Sequence, residues 1–88
     1  MTSPKETIEG RRKRLLWRAS HRGMREMDVL LGGFARAQIG TLSEAELDEL
    51  EAIVGLPDQD LMSWILGDSP VPRGQATATL KALLAYRP

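Results

Sequence analysis

The sequence predicts an all-α protein, a single small five-helix bundle. Three observations lead there. Apolar residues recur three and four apart along almost the whole chain, and no stretch alternates as a strand would. Glycines, prolines and capping residues cut the chain into five segments of helical length. The 88 residues suffice for one domain with a thin core, burying roughly 60–65 % of the unfolded surface. Residues 1–88 are therefore expected to form one domain with a core over about 11–86. Residues 1–6 and the last two are expected to fray.

The first helix is expected from Thr7 to Ser20, with Ile8, Leu15, Leu16 and Ala19 apolar and Arg11 to Arg14 as a basic collar. After a turn over Ser20–Gly23, a second runs from Met24 to Ala37 with Met27, Leu30, Leu31 and Phe34 on one stripe. It contains Gly32-Gly33, each costing roughly 1 kcal/mol relative to Ala. The pair predicts either a close helix–helix contact or a weak point. Ile39-Gly40 ends this helix. Ser43-Glu44-Ala45-Glu46 reads as a capping box opening the third, in which Ser43 accepts from the Glu46 amide while Glu46 reaches back. Leu47, Leu50, Ile53 and Val54 form its apolar face, and Gly55 suits the position after its end. Leu56-Pro57-Asp58 opens a fourth helix with Asp58 as expected N-cap and Leu61, Trp64, Ile65 and Leu66 along it, stopping at Gly67. A proline-stiffened loop follows. The fifth helix is expected from Gly74 to Tyr86 with Leu80, Leu83 and Leu84 inward. Trp17 and Trp64 are expected as core anchors or partly buried packing residues; a base-stacking role for Trp17 beside its arginines would need more exposed aromatics than this chain has.

Composition narrows the chemistry. The chain has no cysteine, which excludes disulfides, thiol catalysis and thiolate metal sites. His21 is the only histidine, which disfavours a His-based metal cluster or a Ser/His/Asp triad. No apolar run approaches the roughly 18–20 residues that span a bilayer. Met1–Gly10 lacks the apolar segment of a signal peptide, so a soluble cytoplasmic location is expected. The net charge is zero but segregated: residues 1–40 hold nine Lys/Arg and four Asp/Glu, and residues 41–69 hold eight Asp/Glu and no Lys/Arg. Either oppositely charged helices attract within the fold, or a basic face is aimed at an acidic or phosphate-bearing partner.

The run His21-Arg22-Gly23-Met24-Arg25-Glu26-Met27-Asp28 concentrates charge around a glycine. With a helix from Met24, Arg22 and Glu26 lie about one turn apart and can pair on one face. Gly23 has no side chain to hold another surface away. This suits a charged docking patch. The plainer alternative is a solvated ion pair worth a few tenths of a kcal/mol, with Gly23 ending a helix. Catalysis is poorly supported. Glu26 and Asp28 are two apart and point to different helix faces, and the acids from Glu44 to Glu51 read as a solvated face. No Gly-rich phosphate loop is present. Arg11–Arg14, Arg18, Arg22 and Arg25 would line one side of two helices joined by a tight turn, as in a helix-turn-helix. The balanced net charge, the acidic third helix and a second helix that is mostly apolar after Asp28 argue against that.

Arg22-Gly23-Met24-Arg25-Glu26 resembles the RGxxE signature of the SdhE family of small helical flavinylation factors, which has a mitochondrial relative. Trp17-Arg18-Ala19-Ser20 precedes it where the family has an aromatic and basic residues. Met27-Asp28-Val29-Leu30 follows where the family has Leu/Met, Asp and an apolar pair, and Phe34 sits at a family aromatic position. Asp58-Gln59-Asp60-Leu61-Met62-Ser63-Trp64 is similar to its D-x-D-L-x-x-W segment. The resemblance covers about Arg11 to Tyr86; Gly32-Gly33 and the arginine collar fall outside the pattern.

The resemblance implies a five-helix bundle that assists covalent attachment of FAD to the flavoprotein subunit of succinate dehydrogenase, and often of fumarate reductase. It implies an assembly factor rather than an enzyme. It places Arg22, Gly23, Met24, Arg25, Glu26 and Asp28 at the partner interface, with FAD belonging to the client and no cofactor or metal held stably by this chain. A free monomer that binds no nucleic acid is expected. Met24, Met27 or Phe34 would supply an apolar surface if the chain self-associates. The alternative is a small basic-faced nucleic-acid-binding or toxin–antitoxin-type regulatory protein.

Overall fold

Local caps decide where most of the helices begin. In a computed structural model that describes residues 6–88, α1 spans Ile8–Ser20, α2 Arg25–Gln38, α3 Glu44–Val54, α4 Asp58–Ile65 and α5 Ala78–Ala85. Thr7 caps α1 by accepting from the Gly10 amide at 2.9 Å. The capping box of α3 forms as expected, with Ser43 Oγ accepting from Glu46 N–H at 3.2 Å and Glu46 Oε1 from Ser43 N–H at 2.8 Å. Two starts differ from expectation. Asp58 is not an N-cap: Pro57 holds that position, and the Asp58 carboxylate turns instead to Arg22. The fifth helix starts at Ala78 rather than Gly74, because Thr77 accepts from the Leu80 amide at 3.1 Å while Arg73–Gln75 forms a short 3-10 turn.

The helix ends follow similar logic. Gly55 closes α3 in a right-handed conformation, so the left-handed cap falls elsewhere. It is at Gly67, where φ is +76°. The Gly67 and Asp68 amides donate to Trp64 and Ser63 carbonyls at 3.2 and 2.8 Å, the paired bonds of a Schellman motif.

The five helices share one apolar core and no strand occurs among the described residues, as the sequence predicts. Leu15 and Ala19 of α1 meet Met27, Leu31 and Phe34 of α2. Leu47, Leu50 and Ile53 of α3, Leu61 of α4, and Leu80 and Leu83 of α5 complete the core. Burying each such leucine contributes about 1.5–3 kcal/mol. Met27 is fully buried and Phe34 nearly so, so neither offers the outward apolar surface expected of them. Trp64 packs half-buried against the core, but Trp17 does not anchor it, being 61 % exposed. Two residues from Leu15 and two from Ala19, it lies on the opposite face of α1.

Gly32-Gly33 serves close packing, and α2 runs through it unbroken. A Cβ on Gly32 would lie 3.1 Å from Ser20 Cα, so α1 and α2 approach backbone to backbone there. A Cβ on Gly33 would meet the Tyr86 hydroxyl at 2.9 Å. Tyr86 also sets its ring edge-on to Phe34, with centroids 5.9 Å apart.

The segregated charges are used inside the fold. Arg11 reaches Asp48 at 2.6 Å and Glu51 at 2.9 Å, and Arg14 reaches Glu51 at 3.1 Å, clamping α1 to α3. Arg14 and Arg11 hold the Glu51 carboxyl below its usual range, against an opposing effect of burial. Arg12 donates to the Ile39 and Leu42 carbonyls at 2.9 and 3.0 Å, tying down the α2–α3 turn. Fraying of residues 1–5 lies outside the described residues, but Glu6 accepts two bonds from Arg14 at 2.7 and 3.0 Å. Arg87 folds back onto the Tyr86 and Leu84 carbonyls at 2.8 and 3.1 Å.

Candidate protein-docking site

Between α1 and α2 the chain reverses over four residues, and Gly23 makes the reversal with φ +81°, a conformation that side-chain-bearing residues rarely adopt. Nothing lies within 4 Å of the position its Cβ would occupy, so the turn faces open space. The turn is braced on both sides. Arg22 N–H donates to Asp28 Oδ1 at 2.6 Å, and Asp28 N–H donates to the Met24 carbonyl at 2.9 Å. The Arg22 guanidinium reaches across to the α3–α4 junction, where Nε donates to Asp58 Oδ1 at 2.8 Å, Nη2 to the Leu56 carbonyl at 2.7 Å, and Nη1 to the Val54 carbonyl.

The sequence-predicted site residues therefore divide into two sets. Arg22, whose side chain is 10 % exposed, and half-buried Asp28 are bonded within the protein. The expected Arg22–Glu26 pair is absent: Arg22 precedes the helix, and its fork is saturated by Asp58 and two carbonyls. Met24, half-buried, packs against the core from the N-cap of α2. Gly23, Arg25 and Glu26 stand exposed, with no side-chain bond among the described residues. Glu26 sits in the first turn of α2, where the helix dipole favours an anion. The result is a rigid knuckle presenting bare backbone, one cation and one anion. Among the described residues no group of three or more His, Cys, Asp or Glu could hold a metal.

Sequence reasoning missed the exposed face of α1 beside this knuckle. Trp17 stacks on His21 with ring centroids 4.3 Å apart and planes 13° from parallel. The His21 Nδ1 lies 2.8 Å from the Trp17 carbonyl and must donate, because a carbonyl only accepts. The signal was present in the spacing, which sets Trp17 opposite Leu15 and Ala19, but aromatic character argued for burial.

A family model described as flavinator of succinate dehydrogenase matches residues 13–87. The FAD assembly factor SdhE of Acetobacter pasteurianus is 39 % identical over 79 residues, covering 90 % of this chain and 72 % of that protein. The mitochondrial succinate dehydrogenase assembly factor 2 of Dictyostelium discoideum is 42 % identical over 74 residues, covering 84 % of this chain and 52 % of that protein. Its Danio rerio counterpart is 35 % identical over 87 residues, covering 93 % and 55 %. The chain thus spans about half the length of these two mitochondrial relatives.

Proposed function

The chain belongs to the Sdh5 family, and from that membership we propose that it binds the flavoprotein subunit of succinate dehydrogenase and promotes covalent attachment of FAD to it. The observation that carries this reading is the braced knuckle: Gly23, Arg25 and Glu26 are exposed on a turn whose neighbours Arg22 and Asp28 are locked inward. A prepaid geometry lowers the ordering cost of docking. Arg25 meets a carboxylate of the client and Glu26 a basic group near its flavin site, as charge-assisted hydrogen bonds. Gly23 lets the client's surface approach the backbone.

The chain acts as an assembly factor without catalysing a step. Binding favours the client conformation in which flavin and acceptor side chain are aligned, so assistance comes from population shift and orientation. FAD stays with the client, fumarate reductase flavoprotein is a second client, and the factor works as a cytoplasmic monomer. No helix of the described residues is long and apolar enough to cross a membrane. Of the seven basic residues that suggested a nucleic-acid face, Arg11, Arg12, Arg14 and Arg22 are bonded within the protein, which weakens that alternative.

The test is covalent flavin fluorescence of the host's succinate dehydrogenase flavoprotein on a denaturing gel, with and without this chain. Loss on deletion, restored by wild type but not by Gly23→Arg, is the expected outcome. An unchanged signal on deletion overturns the proposal.

A further inference from the structure

We propose that the Trp17–His21 ridge on α1 is a second docking point for the same client, one that takes an acidic segment pairing a carboxylate with an aromatic or aliphatic side chain. The inference rests on the client being the flavoprotein subunit.

Trp17 is exposed yet held. Its neighbours in sequence, Leu16 and Arg18, are half-buried, its indole is stacked on His21, and His21 is fixed in turn by its bond to the Trp17 carbonyl. An indole that offers a large apolar face with little rotamer freedom left to lose is the side chain most often found at the energetic centre of interfaces. The ridge separates two clefts and lines both. One, of about 340 Å³, continues past Arg18 and Arg22 to Pro57 and Asp58. The other, of about 290 Å³, is lined by Lys13, Leu16, Ser20 and Arg36.

Charge selects the occupant. Lys13 and Arg36 border the second cleft and Arg18 the first, and none of the three has a hydrogen bond or ion pair to an acid among the described residues. The other basic side chains of α1, Arg11, Arg12 and Arg14, are all bonded within the protein. The one acid lining either cleft, Asp58, is bonded to Arg22. The ridge is therefore an apolar plate in a positive surround, which recognises a carboxylate beside an apolar group. Arg22 joins this face to the knuckle, since it borders the first cleft and its main chain leads directly into Gly23. A client gripping the knuckle thus reaches Trp17 along one continuous surface.

The experiment measures the affinity of the host flavoprotein subunit for the full chain, wild type and variants, across a salt series, with circular dichroism and urea midpoints as fold controls. Trp17→Ala is expected to weaken binding by about tenfold or more at an unchanged midpoint, and Trp17→Phe to recover part of the loss. Lys13→Glu with Arg36→Glu is expected to weaken binding and flatten its salt dependence. Wild-type affinity in Trp17→Ala, with Glu26→Ala still weakened, overturns the second docking point and leaves the proposed function standing. No binding of wild type to the flavoprotein overturns both. Trp17-dependent binding to a random-sequence DNA duplex at physiological salt, without an effect on the flavoprotein, assigns the ridge to nucleic acid and overturns the proposal as well.

Discussion

Arg22 Nε and Asp58 Oδ1 lie 2.8 Å apart, joining residues separated by 36 positions in the sequence. The pair is mostly shielded from water, with side chains 10 % and 23 % exposed, and the same guanidinium ends the search of two carbonyls for a donor. The arginine of the RGxxE run is thus a brace for the turn rather than a free docking group.

Arg22→Ala is therefore expected to cost about 2–3 kcal/mol of stability, because it strands a carboxylate and two carbonyls at once. Arg22→Lys keeps the charge but lacks the planar fork, so it too is destabilised. Urea midpoints check both. A midpoint unchanged in Arg22→Ala would show that the brace carries no weight.

Glu26→Ala removes an exposed side chain with no intramolecular bond among the described residues. Stability should stay within about 0.5 kcal/mol of wild type, while affinity for the flavoprotein falls. Gly23→Arg adds strain at φ +81° of about 1 kcal/mol, leaves the helical spectrum intact, and abolishes complex formation. Equal loss of folding and binding in Glu26→Ala would make its role structural.

The two adjacent glycines should respond differently to the same change. Gly32→Ala forces a methyl to 3.1 Å from the Ser20 Cα, a backbone atom, and should destabilise by about 1–2 kcal/mol after the helix-propensity gain is counted. Gly33→Ala meets the far end of Tyr86, which can swing aside, so it should be near neutral. Thermal melts of the two variants settle the ordering.

Acid should loosen the clamp between α1 and α3. The Glu51 carboxyl is held below its ordinary pKa in the folded protein, chiefly by Arg14 and then by Arg11. A carboxyl with a depressed folded pKa stabilises above its unfolded pKa, and that contribution is lost as pH falls through the folded value. Glu51→Gln should therefore be less stable than wild type at pH 7, with the gap shrinking well below about pH 4. Urea titrations at both pH values check the sign.

Much of this was legible in the sequence because it is local. Helical period, the Ser43–Glu46 box and most inward leucines depend on residues within a turn or two and appear where the pattern puts them, whereas Leu66, expected along the fourth helix, lies past its end and is exposed. Gly32-Gly33 left open a close contact or a weak point in the helix, and only the tertiary positions of Ser20 and Tyr86 decide for the contact. The partner of Arg22 was not legible. Asp58 carried an equally good local explanation as a helix cap, and only the tertiary approach of the α3–α4 junction decides between the two. Trp17 failed for the opposite reason: residue type suggested burial, and only its phase relative to Leu15 and Ala19 set it outside. Thr77 was overlooked because an earlier glycine offered a plausible start.

The reach of Arg22 also bears on inhibitor and peptide design. A synthetic peptide copying residues 20–29 would carry every exposed group of the knuckle and none of the acceptors at Val54, Leu56 and Asp58 that hold it in shape. Such a mimic would enter solution as an unstructured strand and lose affinity to ordering. The smallest portable version of this surface has to bring α3 and the start of α4 with it.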